Sequence, residues 1–123
     1  MSNDARETGT EIRRAVLGDE HVDRSEANRT EFSAPFQDFI TGYAWGEVWA
    51  RDGLDRRTRS AITLAVLTAL GRENELALHV HGALRNGLTE AEISEVLLHT
   101  AVYAGVPAAN AAFAVAAKVL AED

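Results

Sequence analysis

Two histidines lie two residues apart in the stretch ELALHVHGALRNG, residues 75–87. Helical residues two apart point in roughly opposite directions, so His79 and His81 must serve different surfaces. Glu75 precedes His79 by four residues, which places its carboxylate beside the imidazole. The spacing predicts that His79 borders the core as a candidate general acid oriented by Glu75. His81 then faces solvent or another subunit, and a purely structural histidine is the alternative for His79.

A second group of candidate residues is cationic. The stretch LDRRTRS puts Arg56, Arg57 and Arg59 into the first turn of a predicted helix, where the helix dipole disfavours cations. A guanidinium and the backbone N–H groups of a helix start can together bind a carboxylate. We therefore predict that Arg59, with the nearby Arg51, binds an anionic substrate. Solvated charges or salt bridges are the alternative for Arg56 and Arg57.

Both tryptophans fall in one short segment, YAWGEVWARDG. Trp45 and Trp49 can form the apolar wall of a pocket for a small molecule. Packing in the core is the alternative for both residues.

Composition excludes several classes of function. The chain has no cysteine, which removes disulfides, thiolate metal sites and thiol redox chemistry. A net charge of −7 argues against binding to nucleic acid. No apolar run reaches the roughly 20 residues of a membrane span, and the N-terminus lacks the apolar region of a secretory signal. We expect a cytoplasmic protein without a metal site, because His79 and His81 cannot share an ion and no third ligand is evident.

The elements that position these residues are predicted to be helices. Glycines break the chain into helix-sized pieces, and no alternation typical of strands is sustained. We predict a single all-α domain, residues 1–123, of about six helices, in which residues 1–32 are a partly irregular arm and residues 19–32 are non-helical. The predicted helices are Glu7–Leu17, a helix capped by Ser33 that carries FQDFITGYAWGEVWA, Arg56–Leu70 capped by Asp55, the histidine-bearing helix, Glu90–Ala104 with a capping box of Thr89 and Glu92, and a helix from Pro107 to Ala121.

The last predicted helix, AANAAFAVAAKVLA, is apolar nearly all round. Such a helix is buried on all sides, and a chain of 123 residues has little room to enclose it. We therefore expect an oligomer.

The stretch ELALHVHGALRNGLTEAEISEVLLHTAVYAGVPAANAAFAVA resembles the signature region of the carboxymuconolactone decarboxylase family. The upstream stretch FQDFITGYAWGEVWARDGLDRRTRSAITLAVLTALGR resembles the decarboxylase branch of that family, which also holds alkylhydroperoxidase-like proteins. The redox relatives carry Cys-x-x-Cys-x-x-x-His in the same helix. Here their histidine falls on His79, their cysteines on Arg72 and Glu75, and their proton-relay glutamate on Ser60, so peroxidatic chemistry is implausible.

The resemblance implies an all-α, alkylhydroperoxidase-like fold and a homohexamer. It also implies decarboxylation, without a cofactor, of 4-carboxymuconolactone to the enol-lactone of 3-oxoadipate, in the protocatechuate branch of the β-ketoadipate pathway. In this interpretation His79 donates the proton, with Glu75 orienting it, or His81 does so across a subunit interface. Arg51, Arg59 and Arg72 bind the substrate and the two tryptophans form a dry wall. A non-enzymatic helical oligomer that binds a related anionic lactone is the alternative.

Overall fold

The computed structural model describes residues 3–122 and consists of helices and their connections, with no strand among those residues. The predicted all-α fold class is confirmed. The chain divides into two compact units, Met1–Asp55 and Arg56–Asp123. The helices are α1 Asn3–Leu17, α2 Asp19–Ala27, α3 Ala34–Phe39, a π helix Ile40–Val48, α4 Arg56–Leu70, α5 Glu73–Arg85, α6 Glu90–Ala104 and α7 Val106–Ala121.

The N-terminal unit, Met1–Asp55, is built on the crossing of α1 and the π helix. The two backbones approach so closely that a Cβ atom at Gly9 would overlap the carbonyl oxygen of Thr41, and one at Gly46 would overlap that of Ala5. Only glycine leaves room for such an approach. The two glycines therefore fix where the tryptophan-bearing segment lies on α1.

A buried arginine ties α1 to its neighbours in this unit. Arg13 donates hydrogen bonds to Ser25 Oγ at 3.2 Å and to Thr41 Oγ1 at 3.5 Å. Burial lowers the pKa of the Arg13 guanidinium, because the charged form loses hydration that two neutral hydroxyls replace only in part. The cation nevertheless joins three elements of the unit.

The irregular arm predicted for residues 19–32 is wrong over its first nine residues, which form α2. Asp19 and Glu20 stand in its first turn, where the helix dipole favours carboxylates, and Arg24 pairs with Glu20 one turn on. Val22 is the only buried residue of α2. Charge placement, rather than an apolar stripe, is the helical signal in this segment.

The single helix predicted after Ser33 is an α-helical turn followed by nine residues of π helix. Pro35 stands at its start as predicted, but Ser33 makes no side-chain capping bond. Its hydroxyl instead accepts the backbone N–H of Thr30 at 3.0 Å. The predicted cap is therefore replaced by a turn that leads into the helix.

The C-terminal unit, Arg56–Asp123, packs α4 to α7 around one core. The predicted bounds of α4 and α6 are confirmed to the residue, α5 begins and ends two residues before the stretch 75–87, and α7 begins one residue before Pro107 and ends at Ala121 as predicted. Gly71, Gly87 and Gly105 have positive φ angles of 70°, 95° and 105°, which end α4, α5 and α6. The core is made of buried aliphatic residues of all four helices and of Leu88 in the connection between α5 and α6: Leu64, Leu76, Val80, Ala83, Leu88, Ile93, Leu97, Ala112, Ala116 and Val119.

The capping box predicted at the start of α6 is confirmed. Thr89 Oγ1 accepts the N–H of Glu92 at 3.1 Å, and the Glu92 carboxylate accepts the N–H of Thr89 at 2.9 Å. The same carboxylate pairs with Arg57 of α4. These bonds hold the pKa of Glu92 below its usual value, with the Arg57 hydrogen bond as the main cause.

The last helix, α7, is not enclosed on all sides by one chain. Ala109, Ala112 and Ala116 are buried, but Val106 and Phe113 on other faces are exposed. The prediction that other copies cover this helix therefore stays a prediction, as does that of a single domain. None of the helices within residues 3–122 is long and apolar enough to cross a membrane.

Candidate functional site

Helix α5 presents His79 at the border of the core. Leu76, Val80 and Ala83 form a buried stripe, and His79 beside it is half-buried, as predicted for a residue that borders the core. Its Nδ1 atom has no exposed surface. The imidazole lies at the edge of an apolar surface, and its role as a proton donor stays a prediction.

Glu75 lies one turn before His79 in the first turn of α5 and is exposed. Its position four residues earlier on the same face is the predicted one. Its role in orienting the imidazole stays a prediction.

His81 lies on the side of α5 away from His79, as predicted. Its side chain is 33% exposed, and Nε2 lies 3.7 Å from Oε2 of Glu122, just beyond α7. A protonated His81 can therefore form an ion pair between α5 and the C-terminal end of the unit. This contact favours a structural role for His81 and leaves His79 as the stronger candidate acid.

The arginines at the start of α4 fall into different environments. Arg57 bonds to the Glu92 carboxylate and donates from Nε to the carbonyl oxygen of Gly87 at 3.3 Å, so the salt-bridge alternative describes it. Arg56 is exposed. Arg59 is half-buried, and its Nε atom has no exposed surface. Among these three, Arg59 is the guanidinium set into the protein at the positive end of a helix.

Next to Arg59, Ser60 joins α4 to the end of α5. The Ser60 side chain is almost completely buried, and its Oγ accepts a hydrogen bond of 2.8 Å from Nδ2 of Asn86. Asn86 follows His79 by seven residues, two turns along the same side of α5. The helical repeat places Asn86 on the same edge of α5 as His79, but nothing in the sequence predicts the pairing with Ser60.

Arg72 precedes α5 and is exposed. It lines a cavity of about 240 Å³ with Thr68, Glu73 and Leu76 among others. The carboxylate of Glu73, which lines the same cavity, repels an anionic ligand there and competes with it for Arg72. The predicted role of Arg72 in binding substrate stays a prediction.

The remaining predicted site residues belong to the N-terminal unit. Trp45 and Trp49 stack with ring centroids 4.9 Å apart, one turn of the π helix from each other. Trp45 is buried, which fits the packing alternative, while Trp49 is half-buried and Arg51 is exposed. Their predicted roles as pocket wall and carboxylate ligand stay predictions.

Comparison with known proteins decides between the classes of function. A model of the carboxymuconolactone decarboxylase family matches residues 34–118. The 4-carboxymuconolactone decarboxylase of Acinetobacter baylyi is 52% identical over 111 residues, which cover 90% of this chain and 83% of that protein. The chain belongs to the carboxymuconolactone decarboxylase family. A second relative, nitrosuccinic acid decarboxylase npaB of Metarhizium robertsii, is 46% identical over 112 residues, 91% of this chain and 78% of that protein.

Family membership confirms the resemblance on which the sequence interpretation depends. This carboxymuconolactone decarboxylase family member has arginine, glutamate and serine at positions 72, 75 and 60, where redox relatives are expected to have cysteines and a glutamate. Without a thiol it cannot form the disulfide of a peroxidatic cycle. The candidate residues of the C-terminal unit are thus one half-buried imidazole, one half-buried guanidinium and one amide bonded to a buried hydroxyl, and that they form one site stays a prediction.

Proposed function

We propose that this protein is a decarboxylase that converts 4-carboxymuconolactone to CO₂ and the enol-lactone of 3-oxoadipate, a step in protocatechuate breakdown by the β-ketoadipate pathway. The observation that carries the proposal is the 52% identity to the Acinetobacter enzyme of that name over 90% of the chain. The half-buried imidazole of His79, at the border of the buried stripe of α5, supports it.

The substrate itself supplies the electron sink. It is an unsaturated five-membered lactone whose saturated ring carbon carries one carboxylate directly and a second on an acetate arm. When the C–CO₂ bond breaks, the electron pair moves through the C=C bond to the lactone carbonyl oxygen. A proton then adds to the carbon next to that carbonyl. No electrons leave the substrate, so the reaction needs no redox cofactor.

Three tasks remain for the protein in this reaction. A cation must hold the retained carboxylate, a donor must stabilise the charge on the lactone oxygen, and an acid must deliver the proton. We assign the proton to His79, with Glu75 orienting it, and the carboxylate to Arg59, with Arg51 and Arg72 as further ligands. His81 is the alternative acid if another subunit reaches it. Trp45 and Trp49 contribute an apolar wall.

The proposal includes a homohexamer. Ile62, Val66 and Leu70 recur every four residues along α4, and each is about half exposed or more. Val102 and Tyr103 of α6 are exposed still further. Apolar side chains in such stripes are typical of surfaces that other subunits cover. We place the enzyme in the cytoplasm, since a substrate with two carboxylates does not cross a lipid bilayer unaided.

The second candidate reaction is decarboxylation of an acyclic nitro acid, favoured by the 46% identity to the Metarhizium enzyme over 91% of the chain. Nitrosuccinate also has a carboxylate on a carbon next to an electron-accepting group, here the nitro group, and a second carboxylate one CH₂ away. The same site chemistry therefore applies to both molecules. They differ in shape and in where the charge develops.

One experiment separates the two reactions. Purified protein is incubated with 4-carboxymuconolactone or with nitrosuccinate in D₂O, and CO₂ release and product are followed by NMR. We expect kcat/KM to be larger for the lactone, with one deuterium at the carbon next to the product carbonyl. Preference for nitrosuccinate would establish the second candidate, and turnover of neither substrate would refute both.

A further inference from the structure

Of the hydrogen-bonded pair Asn86 and Ser60, only Asn86 is exposed enough to contact a ligand. Ser60 is only 1% exposed and lies under the surface, whereas Asn86 is half-buried. Nδ2 of Asn86 uses one of its two N–H bonds on Ser60 Oγ, at 2.8 Å. The hydroxyl therefore fixes the direction of the amide, and a second N–H remains on the partly exposed group.

A guanidinium next to this amide favours an anion. Ser60 is the fifth residue of α4, one turn past its positive end, and Asn86 caps the negative end of α5, so the helix dipoles alone do not select an anion. The adjacent Arg59 adds a half-buried guanidinium. Glu92 is the ion-pair partner of Arg57, so the charges of these two side chains cancel and neither attracts nor repels the anion strongly.

The distance along α5 also suits a role beside the proton donor. Seven residues separate His79 from Asn86, about 10.5 Å along the helix axis. A substrate that lies along α5 can contact both side chains. His79 would then face the ring carbon that accepts the proton, and Asn86 would face the carbonyl oxygen on the neighbouring carbon.

We infer that Asn86 is a catalytic residue whose free amide N–H donates a hydrogen bond to the lactone oxygen as it becomes negative, and that Ser60 is its positioning residue. The inference rests on the proposed function, because only that reaction places charge on this oxygen. Asn86 gives up no proton: the C–CO₂ bond breaks, its electron pair reaches the oxygen, and the ring carbon takes its proton from His79. A donor of this kind acts mainly in the transition state.

Two other roles for Asn86 make different predictions. A ligand of the retained carboxylate would bind substrate and transition state equally, so its loss would raise KM and weaken every dicarboxylate ligand. A structural tie between α4 and α5 would affect unfolding and assembly rather than kcat. A donor to the developing oxyanion affects kcat alone.

The test compares Asn86→Ala, Asn86→Asp and Ser60→Ala with Asn74→Ala, an exposed asparagine of the same helix as the control. We measure kcat and KM with 4-carboxymuconolactone, and the Kd of the saturated lactone that keeps both carboxylates but cannot form the enolate. Asn86→Ala should lower kcat about 10²–10³-fold, the usual effect of losing one oxyanion donor. KM and the Kd of the saturated lactone should change less than about twofold in it.

The other variants refine the test. Asn86→Asp keeps the shape but puts a negative charge beside the oxyanion, so kcat should fall at least as far. Ser60→Ala should lower kcat about tenfold, since the donor remains but is no longer oriented. Asn74→Ala should match the wild type. Circular dichroism and light scattering confirm that each variant folds and assembles. If Asn86→Ala does not assemble, the kcat of Asn86→Asp is the measurement that tests the inference.

The outcomes are distinct. An unchanged kcat in assembled Asn86→Ala, while the wild type turns over the lactone, overturns this inference alone. A Kd for the saturated lactone that rises in step with the loss of kcat/KM shows a carboxylate ligand and also overturns it. Absence of turnover by the wild type refutes the proposed function and the inference with it.

Discussion

His79 and His81 allow a matched test, since the same substitution can be made twice on one helix with opposite expectations. Glutamine keeps a polar side chain of similar length but cannot donate a proton as a general acid. In His79→Gln the side chain no longer carries a proton that it can transfer to the substrate. In His81→Gln the change affects a side chain that is 33% exposed and lies 3.7 Å from Glu122.

The expected magnitudes differ widely. General acid catalysis is worth about 10²–10⁴ in rate, so His79→Gln should raise the barrier by about 2.7–5.5 kcal/mol. His81 supplies no group to the reaction in this assignment, and its pair with Glu122 contributes only about 0–1 kcal/mol to stability, so His81→Gln should keep the fold and change kcat less than twofold. The ratio of the two kcat values is therefore expected to be at least about 50.

The assay follows formation of the enol-lactone at saturating substrate, with light scattering to confirm the same assembly in both variants. The rate at which deuterium from D₂O enters the carbon next to the product carbonyl is a second readout, because His79→Gln should slow proton delivery to that carbon. If assembled His81→Gln loses more activity than His79→Gln, the assignment of the two histidines is reversed. If both keep full activity, neither is the acid.

Three further predictions concern the carboxylate ligand, the capping box and the helix crossing. Arg59→Lys keeps the charge but loses the planar fork, and kcat/KM in steady-state assays should fall at least about tenfold, or about 1.4 kcal/mol; unchanged kinetics would make Arg59 a surface charge. The lowered pKa of Glu92 means that its stabilising effect is present above the usual glutamate pKa and is lost as the pH falls through the folded value. The difference in Tm between wild type and Glu92→Gln should therefore be largest near pH 7 and narrow below about pH 4, and a difference independent of pH would contradict this. Gly9→Ala should destabilise the protein by about 1–3 kcal/mol in thermal unfolding followed by circular dichroism, because its Cβ would overlap the Thr41 carbonyl oxygen, whereas Gly53→Ala, with nothing within 4 Å, should have almost no effect; equal effects would contradict the close crossing.

Local signals explain which helices could be predicted. The glycines with positive φ and the Thr89 capping box act within a few residues, so they mark the ends of α4 and α6 directly. Helix α2 was missed because its single buried residue, Val22, gives no apolar period. The π helix was missed because an apolar stripe does not distinguish bonds to the fifth residue from bonds to the fourth.

In the candidate site, the sequence predicts how residues are arranged within one helix but not which residues pair between helices. The direction of His79 relative to His81 follows from the helical repeat alone. The pairs Ser60–Asn86 and Arg57–Glu92 each join residues of different helices. Their formation depends on how the helices align when they pack, which no local pattern encodes.

The stacked pair of Trp45 and Trp49 has a spectroscopic consequence. The chain contains two tryptophans, and both lie in the N-terminal unit, Met1–Asp55. Intrinsic tryptophan emission therefore reports the folding of that unit, while far-ultraviolet circular dichroism reports the helices of both. Denaturation curves from the two signals will coincide only if the units unfold together, so one titration read in two ways measures their cooperativity without any added label.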